Sequence, residues 1–352
     1  MTPSALQHGT SMSPPPNSVE RWTSLSGNIL IVETPKGEYA YWLQRKMTKT
    51  TRGSLRLGFR VTRLNDKKPS TWTVQPSTSG PYPHEMVAIK IQDRVACEHP
   101  SKANRDPSVE FSALQAMARE DPDGMNMVVT GIVCADTKHI FCIMPYFGEG
   151  SLAEYVVERG CLSEGVARHF FRQIIAGLCA MQHAGLCHHD LSLENILLRG
   201  TDCCIGGLGF AMRVPLDDNA PALLIPQQSC GTILLYLAPE ILQNVPFDGF
   251  AVDLWAAGIM LAIMLFGIGF PFVWASPDDR RFREISLYGN LRGLARKWES
   301  HSHATPVSEE ALDLLQNMLH ANPCDRLTIQ DIQQHPWFVA EATPPEVSMM
   351  IM

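Results

Sequence analysis

Two groups of residues have the types and spacing for chemistry on phosphate. Val87-Ala88-Ile89-Lys90 lies in a compact apolar run, 86–91, that reads as a strand. A lysine fixed on a strand beside a cleft can neutralise nucleotide phosphates, provided a carboxylate holds its ammonium in place. Glu110, about twenty residues on and inside a helical pattern, is the natural partner, with an ordinary surface ion pair as the plain alternative. The second group is His188-His189-Asp190-Leu191-Ser192-Leu193-Glu194-Asn195. An aspartate followed five residues later by an asparagine puts a proton acceptor and a metal ligand on one loop.

The elements that must hold these groups can be read around them. Residues 28–32 and 38–43 read as short strands split by a Pro35-Lys36-Gly37 turn, and 54–62 alternates like a strand. Residues 65–84 are dense in Pro, Ser, Thr and Lys and read as an inserted loop. Asp106-Pro107 opens a helix through Glu110, Leu114 and Met117, with proline near its first turn. Residues 127–134 and 139–144 read as two further strands. The texture then turns helical. Ser163-Glu164 starts a helix whose Val166, Phe170, Ile174, Leu178 and Met181 recur at helical spacing up to Gly185. Ser308-Glu309-Glu310 caps another through Leu312, Leu315 and Leu319, and Thr328 with Asp331 forms a capping-box pattern. The expected class is α+β: a small antiparallel-sheet lobe (21–145) and a larger helical lobe (146–338) with a cleft between them. A disordered tail is expected at 1–20 and a C-terminal tail at 339–352.

Composition narrows the partners. The 352 residues are 45% hydrophobic, enough for a sizeable core, and the formal net charge is -7. No Lys/Arg block stands out, which argues against a nucleic-acid footprint or a polybasic membrane patch. Ten scattered cysteines with no C-x-x-C pair read as free thiols of a reducing compartment. The Ser/Thr/Pro-rich start lacks the apolar core of a secretory signal, so a cytoplasmic location is expected. Residues 254–275 carry no charge over a length that could cross a membrane, but a buried core helix has the same signature.

The loop 188–195 resembles the catalytic loop of the eukaryotic protein kinases, H-R-D-L-x-x-x-N. Further matches follow in order: Gly231-Thr232, Ala238-Pro239-Glu240, Asp253-Leu254-Trp255, and Arg326-Leu327-Thr328 through His335-Pro336-Trp337-Phe338. The resemblance covers about residues 39–338 and implies the two-lobed kinase fold. Glu194 follows the serine/threonine pattern, and the terminal His-Pro-Trp-Phe is similar to the calcium/calmodulin-dependent-kinase-like group. The resemblance implies catalytic roles for Asp190, Lys90 and Glu110, and metal ligation by Asn195. It implies nucleotide contacts from Gly53, Leu55, Ala88, Lys90, Met144, Tyr146 and Phe147. It also implies a structural pair, Glu240 with Arg326, and places Asp253 at the start of the family's central buried helix, which argues against a membrane span.

The pattern then breaks where phosphate and metal meet. Gly207-Leu208-Gly209 stands where the family has Asp-Phe-Gly, and a glycine side chain offers magnesium no oxygen. Asp202 lies nearby but on the wrong side of that motif. The phosphate-covering G-x-G-x-x-G becomes Thr48-Lys49-Thr50-Thr51-Arg52-Gly53, so only the last glycine remains. Ser192 replaces a lysine that meets the transferred phosphate, and His189 replaces the arginine that reads a phosphorylated activation loop. The expected protein is a pseudokinase, a regulatory or interaction module that binds ATP weakly or not at all and is not expected to retain Mg2+. The alternative is an active serine/threonine kinase with an atypical metal site; in either case the resemblance implies a protein as partner or substrate.

Overall fold

A computed structural model of the chain describes residues 23–34, 37–50, 53–63, 72–76, 84–94, 107–120, 128, 131–215, 224–226, 233–267, 271–302 and 306–345. The 1–20 tail, Thr51 and Arg52, most of the 65–84 insert, Asp106 and Gly231-Thr232 lie outside the described residues.

The first lobe is an antiparallel sheet of β1 (Thr23–Ser26), β2 (Ile29–Thr34), β3 (Gly37–Thr50), β4 (Gly53–Arg63), β5 (Trp72–Val74), β6 (Met86–Asp93), β7 (Ile132–Ala135) and β8 (His139–Pro145). Its order is β1-β2-β3-β4-β6-β8-β7, with β5 paired to the far end of β4. Side chains alternate across the sheet, so each face has its own set. Val87 and Ile89 of β6 join Leu30, Val32, Leu43, Phe141 and Ile143 in a closed apolar cluster on one face. Cross-strand partners share the other face: Leu55, Lys90 and Cys142 in one row, Leu57, Ala88 and Met144 in the next. That second face points at the helix Pro107–Glu120, whose Phe111 and Leu114 share a core cluster with Cys142.

Three sequence expectations change here. The strand expected at 38–43 runs on to Thr50, slipping register between Leu43 and Lys46 and again before Thr48. Residues 45–49 of the added length are exposed and, apart from Met47, polar, so the backbone pairs without the hydrophobic alternation that would announce it. The insert is not all loop, because β5 pairs with β4 and a bridge joins Pro76 to His84. Of the strand expected at 127–134, Met127, Val129 and Thr130 lie outside the described residues; Ile132–Ala135 joins the sheet, and Val128 makes an isolated parallel bridge to Ile205.

The second lobe is helical. Ser163 caps the helix Glu164–His183 by accepting from Val166 N, and the helix buries Phe170, Ile174, Leu178 and Met181 along one stripe. The central helix, Gly249–Phe266, starts at Asp248, whose carboxylate accepts from Phe250 N and Ala251 N, and stops at Gly267 (φ 85°). The uncharged run 254–275 is therefore not one continuous helix. Among the described residues this is the one helix long and apolar enough to cross a membrane, yet 89% of it is buried inside the protein. Arg168 and Arg172 bind the end of the lobe to the helix Glu164–His183, donating to Trp337 O, Glu341 O, Phe338 O and Ala340 O at 2.5–2.7 Å. The expected capping box of Thr328 and Asp331 is present.

Candidate active site

Lys90 sits mid-strand in β6, and its ammonium is ion-paired with Glu110 Oε2 on the facing helix. Both side chains are largely buried, at 21% and 15% exposure, so the pair is no loose surface contact. Leu55, Ala88 and Met144 share Lys90's face of the sheet, as the nucleotide assignment requires. Leu57 and Cys142 lie in the same rows and were not singled out from the sequence; strand pairing, not motif, brings them there. Beyond β8 the Tyr146 N–H donates to Met86 O at 3.3 Å, and the Phe147 ring lies under the Arg199 guanidinium, 5.8 Å away. Gly53 closes the hairpin against Thr50 and runs beside β6, where a Cβ would stand 1.9 Å from Ile91 O. Sheet packing alone therefore demands a glycine there.

The loop 188–195 is fastened from below. Asp253 accepts His188 N at 2.6 Å and His189 N at 2.9 Å, and its burial pushes the carboxyl up to about 7. His188 Nδ1 accepts from Asp190 N at 3.2 Å, which leaves Nε2 to carry the proton and donate to Gly206 O at 2.7 Å. Burial pushes the His188 imidazole down, so the ring is a neutral strut that orients Asp190. His189 adopts φ 60° and stacks flat on Phe247, with ring centroids 5.1 Å apart. Leu193 N donates to the Tyr236 hydroxyl at 3.4 Å, an anchor from the segment before Ala238-Pro239-Glu240 that no sequence signal marked. Ser192 is buried, and its carbonyl accepts Asn195 N at 3.0 Å.

Asn195 Nδ2 donates to Asp190 O at 2.7 Å, so the acceptor and the amide do sit together. Gly207 follows at φ 73°, ψ 34°, in the left-handed region. A Cβ at Gly207 would lie 2.3 Å from Asn195 Oδ1 and 2.6 Å from its Cγ. The amide therefore fills the volume into which a side chain at 207 would project. Asp202 is exposed at the opposite end of its strand, Asp202–Ile205, paired with Arg199, and does not replace the missing acid.

Glu240 and Arg326 meet in two 2.7 Å bonds, both side chains nearly inaccessible at 6% and 1%. Arg326 also donates to His320 O, Ala251 O and Ala321 O and lies over Trp255.

A family model described as protein kinase domain matches residues 83–338. The chain belongs to the protein kinase family. The kinase match begins close to β6, so the strands before it and the altered 48–53 loop precede the matched residues. A probable serine/threonine-protein kinase of Dictyostelium discoideum is 34% identical over 236 residues, 64% of this chain and 25% of that protein. The rice serine/threonine-protein kinase SAPK7 is 34% identical over 211 residues, 59% of this chain and 55% of the relative. The chain thus spans a quarter to about half the length of these two. SRK2J of Arabidopsis thaliana, another serine/threonine-protein kinase, is 31% identical over 263 residues, 73% of this chain and 69% of the relative.

Kinase domains in general use ATP with magnesium, which bridges the phosphates and neutralises the charge that develops there. The residues of this kinase do not fit that ion. Asn195 offers one amide oxygen, and position 207 offers no carboxylate.

Proposed function

We propose that this kinase domain is a regulatory or interaction module with little or no phosphotransfer, keeping at most a weak, magnesium-independent nucleotide site. The carrying observation is that position 207, beside Asn195, supplies no carboxylate oxygen for a metal ion. Phosphoryl transfer depends on positioning and charge neutralisation, so losing the ion's main tether costs several orders of magnitude in rate. Lys90, Glu110 and the face carrying Leu55, Ala88 and Met144 support residual ATP contact. The ending His335-Pro336-Trp337-Phe338 supports kinship with the calcium/calmodulin-dependent-kinase-like group.

A second reading, an active serine/threonine kinase with an atypical metal site, draws on the intact Lys90–Glu110 pair and the oriented Asp190, and on relatives named as serine/threonine-protein kinases. Transfer of labelled γ-phosphate from ATP, with magnesium and then manganese, separates the two. The module reading expects no label above that of Lys90→Met and Asp190→Asn. Label lost in both variants would establish the active kinase instead.

A further inference from the structure

Between Glu38 and Asp66 the sequence holds seven Lys/Arg and no acid, on a chain whose formal net charge is -7. Gaps of three and four residues keep this run from reading as a block, but the hairpin β3–β4 folds it back on itself. Two of the cations are engaged at the far end: Arg60 is ion-paired with Glu85 at 3.0 Å, and Arg63 lies over the Trp72 ring. Toward the tip stand Arg45, Lys46, Lys49 and Arg56, the first three exposed. Among the described residues none of these four has an ion-pair partner, and Arg56 Nε donates to a backbone oxygen, Gln44 O, at 3.2 Å.

Strand register sets their direction. Thr48 pairs with Leu55 and Leu55 with Lys90, so that row faces the nucleotide cleft. Lys46 opposite Arg56, and Lys49 opposite Ser54, alternate with it and stand on the outer face, in the rows of Ile89 and Ile91. These charges therefore point away from the nucleotide phosphates. Lys46 and Arg56 are direct cross-strand partners, and like charges so placed weaken the pairing unless an anion lies between them. The acids of the paired strands do not supply one. Glu33 and Glu38 stand at the other end of the hairpin, and Asp93 follows Gln92, the partner of Gly53 at the tip. Counting the Asp93 charge in full still leaves the cations in excess.

We propose that the outer face of this hairpin docks an extended acidic protein segment, whose alternate carboxylates meet Lys46 with Arg56 in one row and Lys49 in the next. Alternate side chains of an extended strand stand about 7 Å apart, which is also the spacing of those rows. A long polyanion, whether a duplex or an anionic membrane, would also meet the acidic remainder of the chain, whereas a short segment touches the hairpin alone. The proposal rests on the interaction-module reading, and its test uses no nucleotide, so the failure of either is seen separately. Fluorescence polarisation on the full chain would use a labelled octapeptide of alternating Glu and Ser, with Gln in place of Glu as the control peptide. The proposal expects saturable binding at low salt that weakens as salt is added and is at least tenfold weaker for the control peptide. The double variant Lys46→Glu, Lys49→Glu should lower affinity at least tenfold, and the milder Lys46→Gln, Lys49→Gln at least threefold. Arg213→Glu with Arg280→Glu, the same charge change at exposed positions of the other lobe, should alter it less than twofold. Equal losses in the hairpin variants and this control pair, equal binding of the two peptides, or no saturation at millimolar peptide would each overturn it. So would tighter binding of a duplex oligonucleotide or of phosphatidylserine vesicles than of the acidic peptide at the same salt.

Discussion

The pair Glu240–Arg326 and the pair Asn195–Gly207 hold comparable places in the kinase pattern and have met opposite fates. Glu240 and Arg326 keep every bond: two charged hydrogen bonds to each other, three backbone carbonyls around the guanidinium, and an indole face beneath it. At Gly207 the acid is gone and the neighbouring amide has its space. The first pair is buried, and a half-removed buried ion pair leaves an uncompensated charge that costs far more than the pair itself contributes. The second position faces the cleft, where removing a carboxylate costs phosphate chemistry and little stability. The first pair is tied to folding, and the second position to phosphate chemistry.

This contrast can be broken by experiment, and the largest effect should come from Arg326→Met. Leaving Glu240 buried and unpaired is expected to cost about 3–5 kcal/mol, read by urea unfolding; a loss under 1 kcal/mol would remove the scaffold side of the comparison. The next effect concerns Asp253. Its folded-state carboxyl is raised to about 7 from an ordinary 3.8, so folding takes up a proton between those values. Its contribution to stability is complete below about pH 4 and is lost as pH rises through about 7. Asp253→Asn should flatten the fall in unfolding free energy over that window, and a parallel fall in both proteins would contradict the assignment.

Smaller effects lie on the cleft side. Gly207→Ala and Gly207→Asp should each cost about 1–2 kcal/mol, since an L side chain must occupy the left-handed region and displace the Asn195 amide. Only the aspartate should make ATP stabilisation in a thermal-shift assay depend on magnesium; the alanine controls for strain. The smallest effect on stability is expected for Lys90→Met, because Glu110 left alone, at 15% exposure, keeps more contact with water than Glu240 would at 6%. A cost matching that of Arg326→Met would mean that the cleft is as structurally committed as the scaffold.

Much of this was legible because it is local. The caps Ser163, Ser308 and Thr328, the stripe from Phe170 to Met181 and the loop 188–195 announce themselves through short spacings. What escaped the sequence depends on distant segments meeting. The exposed second half of β3 has backbone partners and no apolar alternation. Tyr236 reaches Leu193 across the fold. The glycine at 207 was visible as a lost ligand, but its conflict with Asn195 needed coordinates.

That conflict ties two positions into one inheritance. Asn195 and Gly207 draw on a single volume, so a substitution at either changes what the other can tolerate. A side chain at 207 fits once the Asn195 amide has turned from its bond to Asp190.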